Sequence, residues 1–125
     1  MNLNPDPLHA GEYRITSYGD NYVVVNDRRF DSSVIVTRER MIEEWDARGF
    51  DALTPRHFEL LRELAPEIVL LGTGKTLRFP APALSQALMN AGIGMEVMDT
   101  RAACRTYNIL TSEGRRVAAA LLIET

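Results

Sequence analysis

The second half of the chain alternates short apolar runs with amphipathic stretches, and this alternation constrains the fold more than any other feature of the sequence. Short continuous apolar runs are typical of strands that are covered on both faces. The predicted strands lie at 67–71, 94–98 and 115–123, and predicted helices at 55–64, 82–91 and 100–113 precede and separate them. Helices that join strands in this way cross over the sheet between parallel neighbours. We therefore expect an α/β domain with a partly parallel sheet and helices on its faces.

Local capping signals set the ends of these predicted helices. Thr54 followed by Pro55 suits the start of the first helix, because threonine is a good cap and proline fits the first helical position. Asp99 or Thr100 can cap the third helix, and Gly114 can close it.

The first third of the chain has the residue types and turn signals of strands. Residues 13–17 and 22–25 flank a Gly-Asp-Asn turn, which is the pattern of a β-hairpin. A further β-rich run follows at 33–37, so this part is predicted to be strand-rich.

Two segments of the first half give less regular patterns. Residues 38–48 fit both structures, because Met41, Ile42 and Trp45 are spaced for one helical face while their neighbours suit a strand. The sequence pattern leaves that alternative open. Residues 1–11 contain two prolines and no periodicity, and we expect them to form an extended arm.

Length and composition are those of one ordinary domain. Residues 1–125 are 46% apolar and 25% charged, and no repeat or low-complexity tract divides them. Cys104 is the only cysteine, so no disulfide can form within the chain, which suits a reducing compartment. No apolar run approaches the roughly 20 residues of a membrane span, and the first residues lack the pattern of a signal peptide. We expect a cytoplasmic protein with no segment inserted in a membrane.

Charge is unevenly distributed along the chain. Residues 1–67 hold eight basic and thirteen acidic side chains, a net charge of −5, whereas residues 68–125 hold six and four, a net charge of +2. The second half is the more favourable host for an anion. Neither half clusters enough Lys or Arg to neutralise several phosphates, so we expect no nucleic acid partner.

The loop Gly72–Lys75 follows a predicted strand, where open α/β sheets often bind ligands. Two familiar phosphate-binding patterns fail here, because Val69 and Leu77 stand where glycines are required. The two glycines of the loop still permit exposed N–H groups, and Lys75, the only lysine, can neutralise an anion. The alternative is a tight turn with a solvated lysine.

The predicted third helix places Arg101, Arg105 and Asn108 together, away from its apolar stripe. Such a face can grip a carboxylate or phosphate, or it can simply face water. If the strands at 67–71 and 94–98 are parallel neighbours, the loop and the helix start meet at one sheet edge. The candidate anion- or ligand-binding residues are Gly72, Thr73, Gly74, Lys75, Thr100, Arg101, Arg105 and Asn108.

No complete catalytic or metal-binding set is evident in the sequence. Cys104 needs a histidine base to act as a nucleophile, and neither His9 nor His57 is predictably near it. Two isolated histidines and one cysteine also lack the ligand-pair spacing of a zinc site. We therefore expect an inert thiol, no metal and no cofactor. No residue is predicted to be catalytic, and the sequence leaves open whether the protein is an enzyme.

Several segments together resemble one known family. They are 92–110 with its Met-Asp-Thr and Thr-Tyr-Asn elements, 113–121, Leu70–Gly74 and Trp45. On these residues the chain resembles the domain of unknown function 498 family, which includes the mitochondrial complex I assembly factor 3. The resemblance implies a small three-layer α/β domain with a central mixed sheet. It also implies strand rather than helix within 38–45.

For function, the resemblance implies a non-catalytic assembly factor, and it supplies no catalytic residues. Because no mitochondrial presequence is evident, the chain is expected to be bacterial. The leading hypothesis is a soluble interaction domain that helps an unidentified protein partner or complex to assemble. The alternative is a small-ligand or anion-binding protein, or an enzyme, that uses Gly72–Lys75 and the start of the third helix. The sequence leaves the oligomeric state open.

Overall fold

The computed structural model describes residues 11–124, so the arm predicted over 1–11 lies outside the described residues except for Gly11. The strand-rich first part contains β1 (Ile15–Tyr18), β2 (Val23–Val25), β3 (Arg28–Phe30), β4 (Val34–Thr37) and β5 (Met41–Ile42). A 3₁₀ turn at Phe50–Ala52 leads into α1 (Pro55–Glu63) and β6 (Ile68–Gly72). A second 3₁₀ turn at Pro82–Ser85 runs into α2 (Gln86–Asn90), and β7 (Gly94–Met98), α3 (Thr100–Ser112) and β8 (Val117–Leu121) complete the order.

A mixed five-stranded sheet with the order β5-β4-β8-β6-β7 forms the centre of the molecule. The strand β6 is parallel to both β7 and β8, whereas β4 is antiparallel to β8 and β5. Every residue of β8 is buried, because this strand has a neighbour on each side and a covered surface on each face. The predicted partly parallel sheet is confirmed.

Two layers cover the central sheet. On one face, α3 packs together with the three-stranded antiparallel sheet β1-β2-β3, and their shared core includes Tyr107, Leu70 and Leu121. On the other face, α1 and α2 enclose a second core around Phe58 and Trp45. The three-layer α/β architecture implied by the family resemblance is therefore confirmed, as is the predicted hairpin at β1 and β2.

For the segment 38–48, where the sequence fitted both helix and strand, the structure shows a strand. This strand, β5, pairs with β4 through Ile35 and Ile42. Trp45 is buried in the core beneath α1. The helix predicted at 82–91 is instead a 3₁₀ turn followed by the short α2.

One predicted strand occupies a different environment from the one expected. The run 94–98 was expected to be a buried strand, but β7 is an edge strand in which Gly94 and Glu96 are exposed. The reason is strand order: β8 takes the central position beside β6, and β7 is left with one neighbour.

Candidate functional site

The loop after β6 and the start of α3 meet at the carboxyl-terminal edge of the central sheet. The Thr73 N–H donates to the Met98 carbonyl at 2.9 Å, and the Thr100 N–H donates to the Gly74 carbonyl at 2.9 Å. Both contacts follow from the parallel pairing of β6 with β7, which brings their ends to one edge. The predicted proximity of these two candidate segments is confirmed.

The backbone donors of this edge are hydrogen-bonded within the protein. The Gly74 N–H donates to Thr100 Oγ1 at 2.8 Å, and the Thr100 hydroxyl donates onward to the Leu122 carbonyl at 2.8 Å. The Thr73 hydroxyl donates to the Thr76 carbonyl at 2.6 Å. The N–H groups of Gly74 and Thr100, two of the candidate residues, thus join the loop to α3, and the Thr100 hydroxyl joins both to the residue after β8.

The helix start is capped from within the chain. Asp99 is the N-cap of α3, and its Oδ1 accepts a hydrogen bond from the Ala102 N–H at 2.9 Å. A carboxylate at this position already complements the positive end of the helix. It also repels an anion that approaches Thr100.

The face of α3 with Arg101 and Asn108 contacts the first hairpin. Arg101 forms an exposed ion pair with Asp20 at 2.8 Å, in the turn between β1 and β2. The Asn108 side chain donates to the Ile15 carbonyl at 2.7 Å and accepts from the Ile15 N–H at 3.2 Å. Both side chains therefore hold β1 and its turn against α3.

Of the eight candidate residues, Lys75 and Arg105 are the two charged side chains that remain exposed without an ion pair among residues 11–124. Sequence spacing alone did not show that the hairpin covers part of this helix face. An anion site at Gly72–Lys75 stays a prediction. Lys75 and Arg105 are the candidate side chains that could still pair with an anion there.

Cys104 lies in the core between α3 and the sheet and is fully buried. Burial raises the pKa of its thiol to about 12, an effect that Asp99 reinforces and Arg105 opposes. The group is consequently a neutral thiol at physiological pH rather than a nucleophilic thiolate. The inertness expected of this thiol stays a prediction, which its burial supports.

His57 belongs to the opposite face of the sheet from Cys104, and it has a structural role at the start of α1. Its Nδ1 accepts the Thr54 N–H at 2.9 Å, so the ring proton is on Nε2, which donates to Asp46 at 2.8 Å. His9 lies outside the described residues. Residues 11–124 contain no cluster of His, Cys, Asp or Glu that suits a metal ion.

The loop between β6 and the 3₁₀ turn at Pro82–Ser85 exposes two large apolar side chains close together. Its side chains Leu77 and Phe79 are exposed to 52% and 71%. Between them, Arg78 points back to the protein: it pairs with Asp51 at 2.7 Å, and its guanidinium carbon lies 4.2 Å from the centre of the Phe50 ring. The backbone is fixed as well, since the Arg78 N–H donates to Thr73 Oγ1 at 3.2 Å.

Neither Leu77 nor Phe79 is among the candidate residues predicted from the sequence. The available signal was an apolar–charged–apolar alternation immediately before two prolines, in a segment with no helix or strand pattern of its own.

None of the helices in the described part of the chain is long and apolar enough to cross a membrane.

Comparisons with known proteins agree with this fold. A family model described as a protein of unknown function (DUF498/DUF598) matches residues 15–122. The NADH dehydrogenase (ubiquinone) 1 alpha subcomplex assembly factor 3 of Bos taurus is 34% identical over 110 residues, which cover 86% of this chain and 59% of that protein. The chain thus spans less than two thirds of the length of that relative.

Solved structures show the same architecture. A crystal structure of a protein from Bordetella parapertussis is similar with a TM-score of 0.86 and 38% identity, covering 92% of this chain and 98% of that one. A solution structure from Bordetella pertussis, described as a Mth938-like domain, has a TM-score of 0.80 and 32% identity, covering 99% of this chain and 93% of that one.

Proposed function

The chain belongs to the DUF498/DUF598 family of proteins of unknown function, and from this premise we propose that it is a non-catalytic interaction domain that helps a protein partner or complex to assemble. The similarity to a protein named as an assembly factor supports this role.

The observation that carries the proposal is the pair Leu77 and Phe79. Both are large apolar side chains that the fold leaves in water, so their burial against a partner would be favourable. Aromatic side chains such as that of Phe79 are enriched in the buried centres of protein interfaces, where they fill pockets on the partner.

The loop that carries these side chains is held in place before any partner binds. The ion pair of Arg78 with Asp51, its contact with Phe50 and the hydrogen bond to Thr73 fix the segment between the two apolar residues. Binding through a preordered loop costs less conformational entropy than binding through a mobile one. The loop therefore has both the chemistry and the rigidity of a docking element.

The experiment compares variants of the exposed apolar residues. Leu77→Ser with Phe79→Ser removes the proposed anchors, and Ile109→Ser is the matched control because Ile109 is also exposed, to 56%, but on α3. Each tagged full chain is expressed in its native host, crosslinked in cells and analysed by quantitative mass spectrometry.

We expect a set of crosslinked proteins that the native chain and Ile109→Ser share and that falls at least about tenfold in the double variant. All three chains should unfold at similar temperatures, because the changed side chains are exposed. An unchanged crosslinked set in a folded double variant would exclude this loop as the docking element.

A further inference from the structure

A groove lined by arginine lies at one end of the strands of the central sheet, and the Gly72–Lys75 loop lies at the other end. The groove has a volume of about 300 Å³ and is bounded by residues 37–40, 64–66 and 115–117. These segments are the turn between β4 and β5, the end of α1 and the start of β8. The register of β4 with β8, in which Thr37 faces Ala118, brings them to the same edge.

Four guanidinium groups line this groove, those of Arg38, Arg40, Arg115 and Arg116, against one carboxylate, that of Glu39. Two further carboxylates stand beside these arginines: Glu12 is 3.8 Å from Arg38 and Glu67 is 3.4 Å from Arg115. Positive charge therefore exceeds negative charge at this edge, in a chain whose net charge is −3.

Two of these arginines donate hydrogen bonds to backbone carbonyl groups, which fix the positions of their guanidinium groups. Arg116 Nη1 donates to the Ala65 carbonyl at 2.8 Å, and Arg38 Nη2 donates to the Thr111 carbonyl. A guanidinium carries five N–H donors, so each of these groups is positioned and still has donors to offer a ligand. Arg40 is exposed and has no ion pair within residues 11–124.

The floor of the groove is apolar and includes one residue in an unfavourable conformation. Leu64, Ala65, Pro66 and Val117 line the floor, and most of its accessible carbon surface belongs to Leu64 and Ala65, because Pro66 and Val117 are largely buried. Ala65 has a φ of 53°, in the left-handed region that favours glycine. Its carbonyl accepts the hydrogen bond that orients Arg116, so the strained residue shapes this groove.

We propose that this groove binds a small organic anion, with a carboxylate or phosphate group on the arginines and an apolar body on the floor formed by Leu64, Ala65, Pro66 and Val117. Bidentate hydrogen bonds from guanidinium groups match both kinds of anion. The volume lies at the lower end of the range for small-molecule sites. The inference is independent of the proposed interaction role, because the groove shares no residue with the Leu77 and Phe79 loop.

The test uses phenyl phosphate, phenylacetate and inorganic phosphate as probes of the full chain, followed by backbone amide NMR shifts. We expect saturable shifts at residues 64–65 and 115–117 with phenyl phosphate or phenylacetate, and weaker binding of inorganic phosphate, which has no apolar body. The two organic probes show which anionic group the site prefers. Equal affinity for phenyl phosphate and inorganic phosphate would overturn the assignment of an organic ligand.

Variants decide where the anion binds. Arg40→Gln should weaken binding at least about fivefold, and Glu39→Gln should strengthen it, because each changes the charge at the groove. Arg105→Gln and Lys75→Gln are the matched controls on exposed cations elsewhere, and they should leave the affinity unchanged. The proposal is wrong if no shifts occur up to 10 millimolar probe, as an order-of-magnitude limit for a small-ligand site, or if the controls weaken binding as much as Arg40→Gln does.

Discussion

Thr100 illustrates how one side chain closes a sheet edge that is open in many α/β folds. A hydroxyl can accept and donate at once. Here it accepts from the Gly74 N–H and donates to the Leu122 carbonyl, and the residue is only 5% exposed. The three segments that end at this edge are thus joined by one buried group.

The buried thiol of Cys104 makes a prediction about alkaline stability. Its pKa is raised from 9.0 to about 12 in the folded protein, so above pH 9 the unfolded chain binds fewer protons than the folded one. The contribution of this thiol to the free energy of unfolding is fully present below pH 9. It falls by about 1.4 kcal/mol for each pH unit above pH 9, until the pH reaches the pKa of the folded state. The free energy of unfolding in urea, measured from pH 8 to pH 10.5, tests this slope.

Cys104→Ala is the comparison for this measurement, because it removes the thiol and keeps the other buried acid of α3, Tyr107. Burial raises the pKa of Tyr107 as well, so part of the alkaline loss remains in the variant. The native chain should lose stability more steeply than Cys104→Ala above pH 9. Parallel curves would show that the thiol is not desolvated as the structure indicates.

At the scale of elements, the contact between β6 and α3 depends on a glycine. A Cβ on Gly72 would lie 2.9 Å from Thr100 Cα and 3.2 Å from the Ala103 methyl carbon. The first of these is a backbone atom, which cannot rotate away. The helix therefore approaches the end of the strand at a distance that only glycine permits.

Gly72→Ala is expected to destabilise the protein by about 1–3 kcal/mol, because the added methyl group pushes the start of α3 away from the sheet. Gly94→Ala is the matched control: its new Cβ would find no atom closer than 3.8 Å, at the exposed edge strand β7. Urea denaturation of both variants measures the difference. Similar midpoints for the two variants would contradict the close approach.

At the scale of the whole molecule, the last strand in sequence is the middle strand in space. β8 pairs with β4 on one side and β6 on the other, and all five of its residues are buried. The antiparallel partners Val34 and Leu121 lie far apart in sequence, because Val34 belongs to the first third of the chain and Leu121 to the strand that follows α3. The central sheet is therefore complete only when the C-terminal strand is present.

A chain that ends at Arg116 should accordingly fail to fold, because β4 and β6 lose their common neighbour and both cores lose their centre. A chain that ends at Ile123 keeps β8 and is the control. Near-ultraviolet circular dichroism and thermal unfolding measure the outcome. A cooperative transition in the shorter chain would show that the remaining strands pair without β8.

Features that arise between residues close in the chain could be predicted from the sequence. Thr54 with Pro55 starts α1, Asp99 caps α3, and the apolar runs mark β6 and β8, because caps and periodicity act within a few residues. The crossover rule made β6 and β7 candidates for parallel neighbours, and the structure shows that they pair in parallel. These features gave the fold class and the meeting of the two candidate segments.

The three-dimensional arrangement of the elements, in contrast, sets which groups remain available at the surface. It placed β7 at the edge, used the N–H groups of Gly74 and Thr100 internally, and exposed Leu77 and Phe79. It also assembled the arginine groove from turns that are far apart in sequence. The physical reason is that strand order, hydrogen-bond satisfaction and solvent exposure depend on contacts between distant segments, which no local pattern encodes.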